Sequence, residues 1–242
     1  DLAIWNGGEF HNLAWADILH GVQTGESNFR HRFGMTMFEY MDRHPDDSAV
    51  FQNALTAISG REAAWVREAY DFTGFRTLVD VGGGNGKLLA TLLKGSPSLK
   101  GILFYLPSVV KGAHGLFRAE GLEGRGEIVG GDFFEAVPQG GDAYLLKHII
   151  HNWDDERCRK ILGNCREAMV PDGKVLVMDP VIPPGNNPFF GKLFDMEMLV
   201  MTEGGVERTE SEFEELFASA GLKLSRIVPT ESFLSVIEGV RA

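Results

Sequence analysis

Apolar residues along this chain change their spacing near residue 76, and the change separates two kinds of structure. Upstream, Phe29, Phe33, Met37, Phe38 and Met41, then Val50, Phe51, Ala54, Leu55 and Ile58, recur at the three-and-four spacing that puts side chains on one helix face. The pattern predicts two or three helices over residues 12–70. Downstream, RTLVDV (76–81), KGILFY (100–105), EIVGG (127–131), DAYLLK (142–147) and KVLVMD (174–179) are short apolar runs separated by amphipathic stretches. Such runs predict strands of a parallel sheet, buried on both faces by crossover helices.

Cys158, Ile161, Leu162, Cys165 and Met169 trace one helical stripe, opened by Asp154 and Asp155 and closed by Pro171 and Gly173. Near the end, LKLSRIVP and ESFLSVIEGV are two strands with a short connection, which forces them antiparallel. The fold class expected is α/β: a doubly wound sheet of five parallel strands plus a terminal hairpin with one antiparallel strand, preceded by a helical segment. The organisation expected is a helical segment over 1–70 and a sheet domain over 71–242.

A chain of 242 residues, 44% of them hydrophobic, can bury one large core. Its formal charge of −11 repels phosphate backbones and anionic lipid, so neither nucleic acid nor membrane is expected as a partner. No apolar run nears the ~20 residues that span a bilayer, and no charged start precedes an apolar stretch, so the cytoplasm is the expected location. The chain starts at Asp1 and brings Trp5, Phe10, Leu13 and Trp15 at once, as expected of a piece of a longer polypeptide. Cys158 and Cys165 fit neither a zinc knuckle nor a CxxC pair and are expected to be reduced core residues.

Two segments carry chemistry. Asp80-Val81-Gly82-Gly83-Gly84-Asn85-Gly86 follows the first strand and opens a helix, where small residues admit a ligand to unpaired backbone N–H groups. Its spacing is GxGxG. A dinucleotide fingerprint would require glycine at position 87, which is Lys87, so a nicotinamide cofactor is disfavoured. After the fourth strand comes LLKHIIHNWD (145–154), which sets His151 at the C-terminal sheet edge, where such folds bind ligands.

A lone histidine there would as readily cap the following helix. Asp179 at the end of the fifth strand and Glu207 in the glycine-rich GGVERT loop favour chemistry instead. Removing a phenol proton with an ordinary imidazole is uphill by roughly 3.5 units, or about 5 kcal/mol, and a neighbouring carboxylate narrows that gap. No metal is expected: His148 and His151 have no third ligand of suitable type nearby, and His148 would point to a different face if the segment is not helical.

LVDVGGGNG (78–86), VGGDFF (129–134), LLKHIIHNWDDE (145–156), PDGKVLVMD (171–179) and GGVERTESEF (204–213), in this order, resemble the plant-type small-molecule O-methyltransferases, typified by caffeic acid and isoflavone O-methyltransferases. The resemblance implies a Rossmann-like class I methyltransferase sheet and S-adenosylmethionine as cofactor. Gly82 and Gly84 would line its methionine part, Tyr105 would stand at the ribose, Asp132 and Phe133 would hold the adenine, and Lys147 would lie beside it. His151 would be the general base, bracketed by Asp179 and Glu207. Met37, Met41, Phe51, Leu55, Met198 and Thr202 would wall the pocket of a small aromatic acceptor with a phenolic or enolic hydroxyl. Family members commonly form homodimers through an N-terminal domain, which would lie outside this chain.

One departure stands out. The family carries Phe-Asp-Leu-Pro at the end of the second strand, whereas this chain has Phe104-Tyr105-Leu106-Pro107. Loss of the bidentate carboxylate should weaken cofactor binding by about 1 to 3 kcal/mol. A relative that binds the cofactor without transferring methyl, or a nicotinamide oxidoreductase, are the other readings. A milder departure is Asn152, where many relatives carry Asp.

Overall fold

The computed structural model describes residues 2–242; Asp1 lies outside the described residues. Six helices come first: α1 (Leu2–Asn6), α2 (Glu9–Ala16), α3 (Ile18–Thr24), α4 (Asn28–Phe33), α5 (Met37–Arg43) and α6 (Pro45–Ala69). This corrects the expectation of two or three helices over 12–70. The interruptions have local causes: Gly25 and Gly34 end α3 and α4 in the left-handed region, and a Thr36/Glu39 capping box starts α5. Pro45, which cannot continue a helix from before it, opens α6. Periodicity reports which face is buried and passes over such breaks.

The remaining chain runs β1 (Thr77–Val81), α7 (Lys87–Gly95), β2 (Lys100–Tyr105), α8 (Pro107–Val110), α9 (Ala113–Ala119), β3 (Gly126–Gly130), β4 (Ala143–Lys147), α10 (Asp155–Ala168), β5 (Lys174–Pro180), α11 (Phe190–Met201), α12 (Glu210–Ser219), β6 (Leu222–Pro229) and β7 (Leu234–Arg241). The sheet order is β3-β2-β1-β4-β5-β7-β6. The first five strands pair in parallel, and β7 lies antiparallel between β5 and β6. A doubly wound sheet with one reversed strand is therefore present, as the spacing predicts.

Strands β1, β4 and β5 are almost wholly buried, because helices cover both faces. The expectation of burial on both faces does not hold for β3, which forms one sheet edge and is half-buried at best. Two core clusters fill the two sides of the sheet. One holds Tyr144, Leu146, Val175, Val177 and the α10 stripe Cys158, Ile161, Leu162, Cys165 and Met169. The other holds Leu89, Leu92, Leu93, Leu103 and Leu145. Both cysteines are free and buried. A third cluster joins Trp5, Phe10, Phe29, Met37, Met41 and Ala54 of the leading helices to Val200 and Met201 of α11, which anchors those helices over the C-terminal edge of the sheet. Among the described residues no helix is long and apolar enough to cross a membrane.

Candidate active site

The site forms where β4 and β5 end side by side. Their register pairs Lys147 with Met178, and the His148 N–H donates to the Met178 carbonyl at 3.2 Å. The chain then leaves the sheet as a short 3-10 turn over Ile150–Asn152, which brings residue 151 level with Asp179. The loop before α12 closes on the same point: the Val206 N–H donates to the His151 carbonyl at 2.9 Å, and the Ile182 N–H to the Arg208 carbonyl at 2.9 Å. Gly205 makes that approach feasible, since a Cβ there would lie 2.6 Å from the His151 carbonyl oxygen and 2.1 Å from the Thr202 hydroxyl. Arg208, also buried, fastens the turn by donating to Asp155 at 2.7 Å and to the Trp153 carbonyl at 3.0 Å.

His151, Asp179 and Glu207 are brought together and are buried, at 3%, 0% and 4% exposure. His151 Nδ1 lies 2.7 Å from Glu207 Oε1 and 3.8 Å from Asp179 Oδ1. Asp179 Oδ2 accepts from the His151 backbone N–H at 3.3 Å. The two acids thus converge on one nitrogen rather than bracketing the ring, which corrects the expected arrangement and leaves Nε2 without a hydrogen bond. The cause is the 3-10 turn, which aims Nδ1 back at the sheet. Burial lowers the His151 imidazole, against the pull of Asp179. Burial, and next the Asp195 charge, push Glu207 up to about 9; burial, with Glu207 adding to it, raises Asp179 to about 7.

These directions set a pH dependence. While Glu207 holds a proton it donates to Nδ1, so Nε2 carries the ring's hydrogen and cannot accept another. Once Glu207 is ionised, Nδ1 donates and Nε2 is left able to accept a proton. Any reaction that uses Nε2 as a proton acceptor should therefore speed up as pH climbs from about 7 to about 9. A kcat profile with its acid limb at or below the ordinary histidine value would contradict this ordering.

Residues outside the expected set complete the cluster. Glu62 of α6 is 2% exposed, and its carboxylate accepts from Lys147 Nζ at 2.9 Å and from His148 Nε2 at 3.0 Å. Burial works against its charge, yet His148 and Lys147 outweigh burial and hold it at about 2. Lys147, expected beside a cofactor, is thus held by α6. Phe194 of α11 packs on both histidines, with centroids 5.8 Å from His148 and 5.5 Å from His151. Only the helical face of Phe194 and Glu62 relative to distant strands could have revealed them, and local spacing does not encode that. His148 stacks on His151 at 5.1 Å and 25°. The segment is not helical at 148, but the expected divergence fails because φ of 55° at His148 turns its ring toward its neighbour.

The glycine turn adjoins this cluster. Gly82 lies against Ile149 and Phe133, while Gly84 faces open space. Both oxygens of Asp80 are buried without a hydrogen-bond partner, and burial raises this carboxyl to about 7. An orphaned carboxylate beside an open turn suits a positively charged ligand. Tyr105 stacks parallel on Phe133 at 5.8 Å and 8°, and Phe133 meets Trp153 edge-on at 6.4 Å. Asp132 is exposed, and its Oδ1 accepts from the Phe134 N–H at 2.8 Å. Met37, Met41, Met198 and Thr202 are buried and Phe51 half-buried, while Leu55 is 37% exposed. A surface cavity of about 600 Å³ opens at the opposite sheet edge, between Tyr70, Arg76, Asp142 and Lys174, away from all these groups.

The family described as the O-methyltransferase domain matches residues 15–223. The chain is 46% identical over 231 residues to the phenazine O-methyltransferase PhzM of Lysobacter antibioticus, which covers 96% of this chain and 67% of that protein. It is 40% identical over 220 residues to the mitomycin biosynthesis 6-O-methyltransferase of Streptomyces lavendulae, over 91% of this chain and 62% of that protein. The chain thus spans between 62% and 67% of the length of these curated relatives. Among solved structures, LaPhzM superposes with a TM-score of 0.94 at 44% identity, over 99% of this chain and 72% of the other. NcsB1, an O-methyltransferase from neocarzinostatin biosynthesis solved with S-adenosylmethionine and 2-hydroxy-5-methyl naphthoic acid, gives 0.86 at 32% identity, over 96% and 69%.

Proposed function

Because the chain belongs to the O-methyltransferase domain family, we propose that it moves a methyl group from S-adenosylmethionine to a phenolic or enolic hydroxyl of a small aromatic metabolite, with His151 as general base. The observation that carries this reading is the His151 imidazole, held through Nδ1 by Glu207 at 2.7 Å with Nε2 free of hydrogen bonds.

The residues fit the donor. Asp80 offers a buried charge of the sign a sulfonium or ammonium needs, Gly84 leaves room at the turn, and Phe133 with Trp153 presents aromatic surface for a base. When bound, the sulfonium supplies an already activated methyl carbon. The protein's share is then orientation and proton removal, and orientation alone can account for roughly 7 to 11 kcal/mol of barrier. His151 Nε2 accepts the hydroxyl proton as the new bond forms. Ionised Glu207 and Asp179 balance the resulting imidazolium, and Phe194 packs against both rings.

Incubation of the chain with labelled S-adenosylmethionine and a panel of phenols tests the proposal. Label in an aryl methyl ether is the expected result; cofactor binding with no acceptor methylated across the panel overturns it. Tyr105 yields a second expectation. A phenol cannot accept from two ribose hydroxyls as a carboxylate does, so Tyr105→Asp should tighten S-adenosylhomocysteine binding by about 5- to 150-fold. Isothermal titration of both proteins reads the change, and an unaltered dissociation constant assigns the hydroxyl contacts to other groups.

A further inference from the structure

Two lone pairs face one another at the ends of β4 and β5. The Glu62 carboxylate can only accept, so His148 Nε2 must be the donor in their 3.0 Å contact. In the neutral ring Nδ1 then carries no hydrogen. That atom is buried without a partner and lies 3.9 Å from Asp179 Oδ1, which is equally buried and unpartnered. Glu207 Oε2 beside them is a third such atom. Acceptors crowded together in a low dielectric are costly unless a donor or a cation lies between them.

A proton does not answer the need, because 3.9 Å is too long for a hydrogen bond. A cation does. His148, His151 and Asp179 each offer one ligand atom, all within 4.8 Å of one another, and Glu207 Oε1 sits 2.7 Å from His151 Nδ1. Donors bound about 2.0 to 2.2 Å from a tetrahedral ion stand roughly 3.3 to 3.6 Å apart, so small side-chain rotations suffice. Two imidazoles and two carboxylates are a donor set that borderline ions select, and two buried acids neutralise a divalent charge. The Glu62 to His148 contact is the outer carboxylate bond that orients a metal-binding imidazole. His148 also holds a left-handed backbone, φ 55°, at a non-glycine position, a strain that persists where the surroundings dictate a ring's direction.

We propose that His148, His151 and Asp179, with Glu207 as fourth donor, form a binding site for a divalent ion of the zinc type, and that its occupancy silences the enzyme by taking His151 Nδ1 from Glu207. The first half stands on the cluster itself; the second rests on the function proposed above.

Calorimetric titration of the chelator-treated chain with zinc tests the first half, with cobalt(II) absorption as a second readout. Expected are one ion per chain and the visible bands of four-coordinate cobalt without thiolate charge transfer, since neither cysteine belongs to the cluster. His148→Gln should weaken binding by roughly tenfold or more. His31→Asn, which breaks the surface pair of His20 and His31 stacked at 3.7 Å, should leave it unchanged. Absence of saturable binding, a six-coordinate cobalt spectrum, or loss of the site in His31→Asn instead of His148→Gln overturns the site. Should His148→Gln fail to fold by circular dichroism, the cobalt spectrum of the unmodified chain decides. Methyl transfer should fall in proportion to zinc occupancy, and full activity at saturation overturns the silencing. A chain that binds zinc as described but methylates no phenol in its absence refutes the proposed function and leaves the metal site standing.

Discussion

Replacing His151 by alanine is expected to lower kcat by about 10² to 10⁴-fold, the range that a positioned general base contributes, while S-adenosylhomocysteine binds as before. The separation follows from the geometry. The imidazole is fixed by Glu207 and by the turn that Arg208 secures, whereas the side chains against the glycine turn are Asp80, Leu103, Phe117, Phe133 and Ile149. Single-turnover measurement at saturating cofactor, with binding followed by calorimetry, reads the two quantities apart. A variant that keeps wild-type turnover would remove His151 from the chemistry, and one that loses cofactor affinity in parallel would make it a structural residue. Glu207→Gln is the companion test: an amide neither ionises nor takes up the imidazolium charge, so turnover should fall and the rise between pH 7 and 9 should vanish.

Glu62→Ala is expected to have the largest effect on stability. It strips the partner from Lys147, whose side chain is only 11% exposed, and from His148 at once. Breaking a buried pair on one side costs roughly 3 to 5 kcal/mol, which for a chain of this size lowers Tm by about 6 to 20 °C. Glu62→Gln should lose less, since the amide oxygen still accepts from Lys147. The pH dependence has a definite sign. Glu62 titrates near 2 in the fold against an ordinary 4.5, so its contribution is fully present above pH 4.5 and is lost as pH falls toward 2. The gap in stability between the unmodified chain and Glu62→Gln should therefore be constant at neutral pH and close in acid. Urea midpoints across that range measure it, and a gap that does not depend on pH would show that the charge of Glu62 is not what matters.

How far the sequence reaches depends on the range of the interactions. The strands, α10 and the terminal hairpin are legible because each is set by a local apolar period and by nearby turn residues. His151 and Asp179 are legible together because strand ends in a parallel sheet come level, so residues at the ends of β4 and β5 must meet; Glu207 comes from the loop before α12 and is legible only through the GGVERT segment. What the spacing does not carry is rotation. Which ring nitrogen of His151 faces the acids depends on a 3-10 turn of three residues, and the approach of His148 to Asp179 depends on one left-handed φ. Glu62 and Phe194 arrive from helices whose faces are chosen by distant packing, so no pattern near residue 151 announces them. The buried Met37, Met41 and Met198 illustrate a different limit: burial and helical spacing are the same for a pocket wall and for ordinary core.

The position of β7 has a consequence for how the chain is made. Asp179 pairs across the sheet with Ser235, so the strand that carries this carboxylate has an open flank until the last strand slots in between β5 and β6. During synthesis the ribosome would have released the first five strands well before their neighbour emerged. An exposed strand flank is a template for pairing with other chains, and contacts between segments so far apart in sequence form slowly. Catalytic competence should then appear only after β7 has emerged, in a single late step, and nascent chains stalled before residue 234 should be captured by chaperones rather than gain activity piecemeal.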